Sequence, residues 1–120
     1  MNKTSSILLI EDEVITAMSL IMDLKKHGYQ DSKFASTGSK AAASAAGSMP
    51  DIIIADVSLS GGESGIDVAA EISGSSSIPV IITSGYEAEE LSSRMNVLNN
   101  AYFLRKPINI SSLIKLIESL

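Results

Sequence analysis

The sequence predicts an α/β fold, a doubly wound five-stranded parallel sheet with helices on both faces. Two patterns carry that reading. Short β-branched apolar runs, such as Ile7-Leu8-Leu9-Ile10, Ile52-Ile53-Ile54-Ala55 and Val80-Ile81-Ile82-Thr83, read as strands buried on both sides. Segments with helical spacing separate them, and strand and helix alternate about five times along the chain. Such alternation implies right-handed βαβ units and a parallel sheet covered above and below.

Each element has its own local reason. Residues 6–10 read as the first strand, and 13–26 as a helix with Val14, Ala17, Met18, Ile21 and Leu24 on one face. Gly28 stands where a left-handed C-terminal residue is wanted. Residues 30–35 make a weak second strand, and Ser36 or Thr37 can cap an alanine-rich helix over 38–47. Pro50 restarts the chain before a strand at 51–56, and Ser60-Gly61-Gly62-Glu63-Ser64-Gly65 is a loop. A third helix over 65–73 carries Ile66, Ala69, Ala70 and Ile72 as its apolar positions. Ser73 to Ser77 is a flexible connection, and Pro79 opens a strand at 80–84. A helix at 87–97, a strand at 101–105 and a helix at 110–119 complete the pattern.

Polar stations punctuate the strand ends. Glu11-Asp12 follows the first strand, Asp56 closes the third, Ser84 ends the fourth, and Lys106-Pro107 follows the fifth. In open α/β sheets, ligands bind at the carboxyl ends of the strands. Three carboxylates, a hydroxyl and an amine are therefore expected at one rim. That set suits a divalent cation and a phosphoryl group, because Mg²⁺ takes oxygen ligands from one or two carboxylates together with phosphate oxygens.

Composition removes other classes. A chain of 120 residues makes one domain with a real core. A net charge of -5 without a Lys/Arg cluster argues against direct nucleic-acid binding or a membrane surface. There are no cysteines, so thiolate chemistry and disulfides are excluded, and the single His27 cannot build a histidine metal site. No apolar run approaches the roughly 20 residues of a membrane span. Met1 to Ser6 leads into a strand rather than a signal peptide, so a cytoplasmic localisation is expected.

Taken in order, these stations resemble the receiver domain of two-component response regulators, of the chemotaxis-regulator-like kind, and the resemblance covers essentially the whole chain. The family's acidic pair matches Glu11-Asp12 within Leu8-Leu9-Ile10-Glu11-Asp12-Glu13. Its phospho-accepting aspartate matches Asp56, its Thr/Ser matches Ser84 after Pro79-Val80-Ile81-Ile82, and its Lys-Pro matches Lys106-Pro107. The resemblance implies a flavodoxin-like receiver fold over 1–120 with no output domain in the chain. It implies a Mg²⁺ ion on Asp12, Asp56 and the Ser58 carbonyl, with Glu11 holding a coordinated water. A phosphohistidine of a sensor histidine kinase or phosphotransfer protein would supply the phosphoryl group to Asp56. Lys106 would place a positive charge on the acyl phosphate, and Ser84 would hydrogen-bond a phosphoryl oxygen.

A switch follows from the same resemblance. Ser84 would move toward the phosphoryl group and Phe103, on the fifth strand, would rotate with it, while Tyr102 faces the other way by strand alternation. The readout surface for an output domain or target protein would be the fourth helix, fifth strand and fifth helix. Should two copies pair, the homodimer would use the face from the fourth to the fifth helix. The Lys106-Pro107 bond is expected to be cis. The resemblance also implies that the chain would assist its own phosphotransfer and slow autodephosphorylation without turning over a metabolite, and so would not be an enzyme in the ordinary sense.

The chain also departs from the family pattern. Glu11 replaces the more usual aspartate, Gly85 stands where many members carry alanine, and the loop after Asp56 lacks the proline most members have. Ser58 and Tyr86 fall at the family's two variable positions, which tune dephosphorylation. Plain readings exist for each residue. Glu11 and Asp12 could serve only as acids near a helix N-terminus, Asp56 as a turn residue, and Lys106 as a surface lysine. Asp51, Asp67 and Glu71 read as surface charge. Among rival functions, a haloacid-dehalogenase type of phosphatase wants a second aspartate where Ser58 stands. A nucleotide-binding turn needs glycines where Glu11-Asp12-Glu13 stands. The third alternative is a pseudo-receiver, an interaction module that keeps the fold without being phosphorylated.

Overall fold

The computed structural model describes residues 1–120. Five strands alternate with five helices: β1 Ile7–Ile10, α1 Val14–Lys26, β2 Ser32–Ala35, α2 Gly38–Gly47, β3 Ile52–Asp56, α3 Gly65–Ser73, β4 Val80–Ser84, α4 Ala88–Met95, β5 Ala101–Arg105 and α5 Ile110–Ser119. A 3-10 turn spans Ser60–Gly62 between β3 and α3. The sheet order is β2-β1-β3-β4-β5 and every pairing is parallel. This is the flavodoxin-like order, whose direction reverses at the β1/β3 junction and opens a crevice beyond those two strand ends.

The period of two along each strand divides the core. Leu8, Ile10, Ile53, Ala55, Val80 and Ile82 face one side, where Ala41 of α2, Ala69 of α3 and Leu91 of α4 cover them. Ile7, Leu9, Ile52, Ile54 and Ile81 face the other, under Ala17 and Leu24 of α1 and Leu113 and Ile117 of α5. Every residue of β1, β3 and β4 is buried, as continuous apolar runs require. The outer strands β2 and β5 are only partly covered.

Helix ends follow their sequence signals. At the end of α1, Gly28 adopts a φ of 96°. Its N–H donates to the Lys25 carbonyl, and the Tyr29 N–H donates to the Leu24 carbonyl. These two bonds form a Schellman motif, and Tyr29 and Leu24 supply its fully buried apolar contact. Thr37, rather than Ser36, caps α2 by accepting from the Lys40 N–H at 3.1 Å. Asn109 caps α5 by accepting from the Ser112 N–H at 3.0 Å.

Some expectations needed correction. The face of α1 toward the sheet is Ala17, Leu20, Ile21 and Leu24, whereas Val14 and Met18 are 47% and 53% exposed. The helix carries more apolar residues than one sheet-facing stripe can take, and Val14, Ile15, Met18 and Met22 form a second, outward stripe. In α3, Val68 is buried while Ala70 and Ile72 are only partly so. Helix α4 ends at Met95 and not at 97, leaving Val97 60% exposed. Strand β2 begins at Ser32 rather than at residue 30: the Gln30 N–H donates to the Gly28 carbonyl in the turn after α1, and the parallel register with β1 starts at Ser32.

Candidate functional site

The carboxyl ends of β1, β3, β4 and β5 bring the polar stations together. Parallel pairing sets Ile10 beside Ala55, Asp56 beside Thr83 and Ser84 beside Arg105. Residues one step past the strand ends therefore share the same rim. Asp56 and Glu11 are buried at 7% and 4% exposure, and Ser84 is fully buried. One carboxylate oxygen from each of Glu11, Asp12 and Asp56 lies within 4.8 Å of the other two.

Asp56 is held on both oxygens. Lys106 Nζ donates to Oδ2 at 2.6 Å, and the Ser58 N–H donates to Oδ1 at 3.1 Å. The backbone N–H of Lys106 donates to the Ser84 carbonyl at 2.7 Å, which fixes the β5 end against β4. The Lys106–Pro107 peptide is cis. Gly65 is required by the same geometry, because a Cβ there would run into the Asp56 carbonyl oxygen. Its N–H donates to the Val57 carbonyl at 3.0 Å, so the start of α3 sits directly on the end of β3.

The electrostatics are those of a cation-seeking crevice. Burial, reinforced by the neighbouring Asp56 and Asp12 carboxylates, raises the Glu11 pKa to about 8 despite the opposing charge of Lys106. Glu11 Oε2 is buried without a hydrogen-bond partner. Burial pulls the Lys106 pKa down, but the hydrogen bond to Asp56 and the charges of Asp56, Glu11 and Glu13 outweigh it and leave it raised. Three clustered carboxylates, one carrying an orphaned buried oxygen, fit a hard divalent cation such as Mg²⁺.

Other sequence-predicted residues take distinct places. Ser58 is exposed at the head of the loop after β3. Ser84 Oγ accepts from the Tyr86 N–H at 2.9 Å, an arrangement that turns the hydroxyl toward the β4–α4 loop. Tyr86 is 56% exposed. Phe103 lies opposite Ile82 and packs, half-buried, on the side of α3 and α4, whereas Tyr102 packs on the side of α1 and α5.

Several contacts were not anticipated. Ser60 Oγ donates to Asp12 Oδ2 at 2.5 Å, and Glu63 accepts from the Gly38 N–H at the start of α2 at 2.9 Å. Arg94 of α4 donates to Ser64 Oγ at 2.9 Å, while that oxygen also caps α3 by accepting from Ile66. All three join residues far apart in sequence through loop side chains, where periodicity carries no signal. Beside the rim, a groove of about 720 Å³ is bounded by Ile15, Thr16 and Ser19 of α1 and by Lys106, Pro107 and Ile108.

Comparison with known proteins agrees with this architecture. The chain is 32% identical over 112 residues to the transcriptional regulatory protein PdtaR of Mycobacterium tuberculosis, covering 93% of this chain and 54% of that protein. It thus spans about half the length of the curated relatives it matches. The solution structure of the PhyR response regulator REC domain of Erythrobacter litoralis superposes with a TM-score of 0.81 at 28% identity, over 97% of this chain and 88% of that one. The chemotaxis protein CheY4 of Vibrio cholerae superposes with a TM-score of 0.88 at 21% identity, over 97% and 98%, a likeness of fold alone. Receiver domains are signalling domains rather than classical enzymes, and they generally bind Mg²⁺ at an acidic pocket. The family model of the response regulator receiver domain matches residues 7–118, and the chain belongs to that family.

Proposed function

We propose that residues 1–120 act as one receiver unit that accepts a phosphoryl group onto Asp56 from a phosphohistidine of a sensor histidine kinase or phosphotransfer protein, in a Mg²⁺-dependent reaction, and so switches a protein-interaction surface. The observation that carries this reading is the pairing of Asp56 with Lys106 Nζ at 2.6 Å inside the carboxylate cluster of Glu11 and Asp12. Beside two further acidic side chains, Asp56 can accept an anionic phosphoryl group only where positive charge offsets the repulsion, and Lys106 supplies part of it.

In the reaction, a carboxylate oxygen of Asp56 attacks phosphorus. The new O–P bond forms as the P–N bond of the phosphohistidine breaks, and the imidazole leaves with the electron pair and takes up a proton. Asp12, Asp56 and the Ser58 carbonyl would hold the ion, with Glu11 placed to orient a coordinated water. An ion held by these residues would supply positive charge against the phosphoryl oxygens during in-line transfer. Lys106 transfers its hydrogen bond from the carboxylate to the acyl phosphate and offsets the added charge of roughly -1.5 to -2. The Ser84 hydroxyl accepts from Tyr86 in the unphosphorylated state, so its own proton is free to reach a phosphoryl oxygen. That movement would draw in the β4–α4 loop and release room for Phe103, whose ring packs toward α4.

The approach of a donor helix is supported by the outward stripe of α1. Ile15 is 84% exposed, and with Met18 and Met22 it offers an apolar face beside the groove at Lys106 and Pro107. The test is intact mass after incubation with Mg²⁺ and acetyl phosphate, with Asp56→Asn in parallel. The expected result is a gain of one phosphoryl group that requires Mg²⁺ and disappears in the variant. No gain from acetyl phosphate or from a phosphohistidine domain would favour a pseudo-receiver that works as an unphosphorylated interaction module.

A further inference from the structure

The loop after β3 has no proline, yet it is tightly built. Ser58 and Ser64 pair across it as an antiparallel bridge, and the Leu59 N–H donates to the Glu63 carbonyl at 3.0 Å. Gly61 and Gly62 take φ values of 76° and 77°, which other residues rarely adopt, and so let the chain turn back within Ser60–Gly62. Buried Leu59 anchors the loop below, Glu63 ties it to the first N–H of α2, and Arg94 ties Ser64 to α4. The tip is thereby fixed in one place, with Ser60 Oγ 2.5 Å from Asp12 Oδ2. A hydroxyl donating to a carboxylate at that distance is a strong, charge-assisted hydrogen bond.

Asp12 needs such a partner. It is less buried than Glu11 and Asp56, and the like charge of Asp56 would push its carboxylate outward toward solvent. Lys106 contacts Asp56 and does not reach Asp12. We infer that Ser60 is a positioning residue for the divalent cation: its hydroxyl holds Asp12 Oδ2 from the loop side and leaves Oδ1 to face the ion. This rests on the reading of the acidic cluster as the Mg²⁺ site. Hydrogen-bond partners of metal-ligating carboxylates are worth about 10–100-fold in metal affinity.

The experiment is a Mg²⁺ titration followed by backbone amide NMR in the absence of any phosphodonor, on the wild type and on Ser60→Ala, Ser60→Thr and Ser60→Val. The ion-free spectra report folding, and the shifts of the Glu11 and Asp12 amides report affinity. Weakening by about 10-fold or more in Ser60→Ala, with Ser60→Thr close to wild type, is the expected result. Thr and Val differ only by the hydroxyl at nearly equal shape, so affinity kept by Thr and lost by Val assigns the effect to the hydrogen bond even if alanine disturbs the loop. Wild-type affinity in both Ser60→Ala and Ser60→Val, or tighter binding in either, would overturn the inference while leaving the Mg²⁺ site intact. A wild-type chain that shows no Mg²⁺-dependent shift at the rim would overturn both.

Discussion

Glu11 illustrates how one residue couples stability to pH. Its carboxyl is pushed up to about 8, first by burial and then by its acidic neighbours. The unfolded chain keeps the group near its ordinary 4.5. Between these values the folded state binds more protons than the unfolded state, so stability falls as pH rises. The contribution of neutral Glu11 is complete below about pH 4.5 and is lost as pH passes about 8. Urea unfolding in the absence of divalent ions should therefore show the midpoint falling across that window, and Glu11→Gln should flatten the fall. Equal slopes for the two proteins would mean that Glu11 does not carry the linkage. Saturating Mg²⁺ should also recover stability at high pH, because an ion that binds only the folded state stabilises it.

At the scale of elements, the junction of β3 with α3 is where packing and chemistry meet most closely. Gly65 lets the helix start against the Asp56 carbonyl, and a side chain there must force the two apart. Gly65→Ala is predicted to cost about 1–3 kcal/mol in equilibrium unfolding, as overpacking in a filled core does. It should also slow phosphoryl uptake, since Asp56 itself must shift. Unchanged stability would show that the junction has slack. The elements themselves were largely legible in the sequence. Short β-branched runs such as Ile52-Ile53-Ile54 favour a buried strand, Gly28 announces a helix end through its positive φ, and Thr37 a helix start through its capping side chain. The short edge strand β2 and the end of α4 were less so, because neither is covered on both sides. The outward stripe of α1 was hidden by an excess of apolar residues that spacing alone could not divide between core and surface.

At the scale of the molecule, the site exists because parallel strands deliver their carboxyl ends to one rim. That Glu11, Asp12, Asp56, Ser84 and Lys106 would meet at one rim was legible for that reason: each lies at or within two residues of the end of an apolar run, and topology does the rest. The contacts that tie the rim to its surroundings were not. Ser60 meets Asp12, Glu63 meets α2 and Arg94 meets Ser64 only after the whole sheet has formed. The loop after β3 thereby touches the acidic crevice, α2, α3 and α4 together.

The most direct test of the account locates the phosphoryl group itself. The protein would be treated with Mg²⁺ and a phosphohistidine donor, reduced with borohydride to convert an acyl phosphate to homoserine, and mapped by peptide mass spectrometry. The expected result is homoserine at position 56 alone, with the signal lost when Mg²⁺ is omitted. Modification at Asp12 instead, or an acid-stable phosphate ester on a serine or tyrosine with Asp56 untouched, would contradict it.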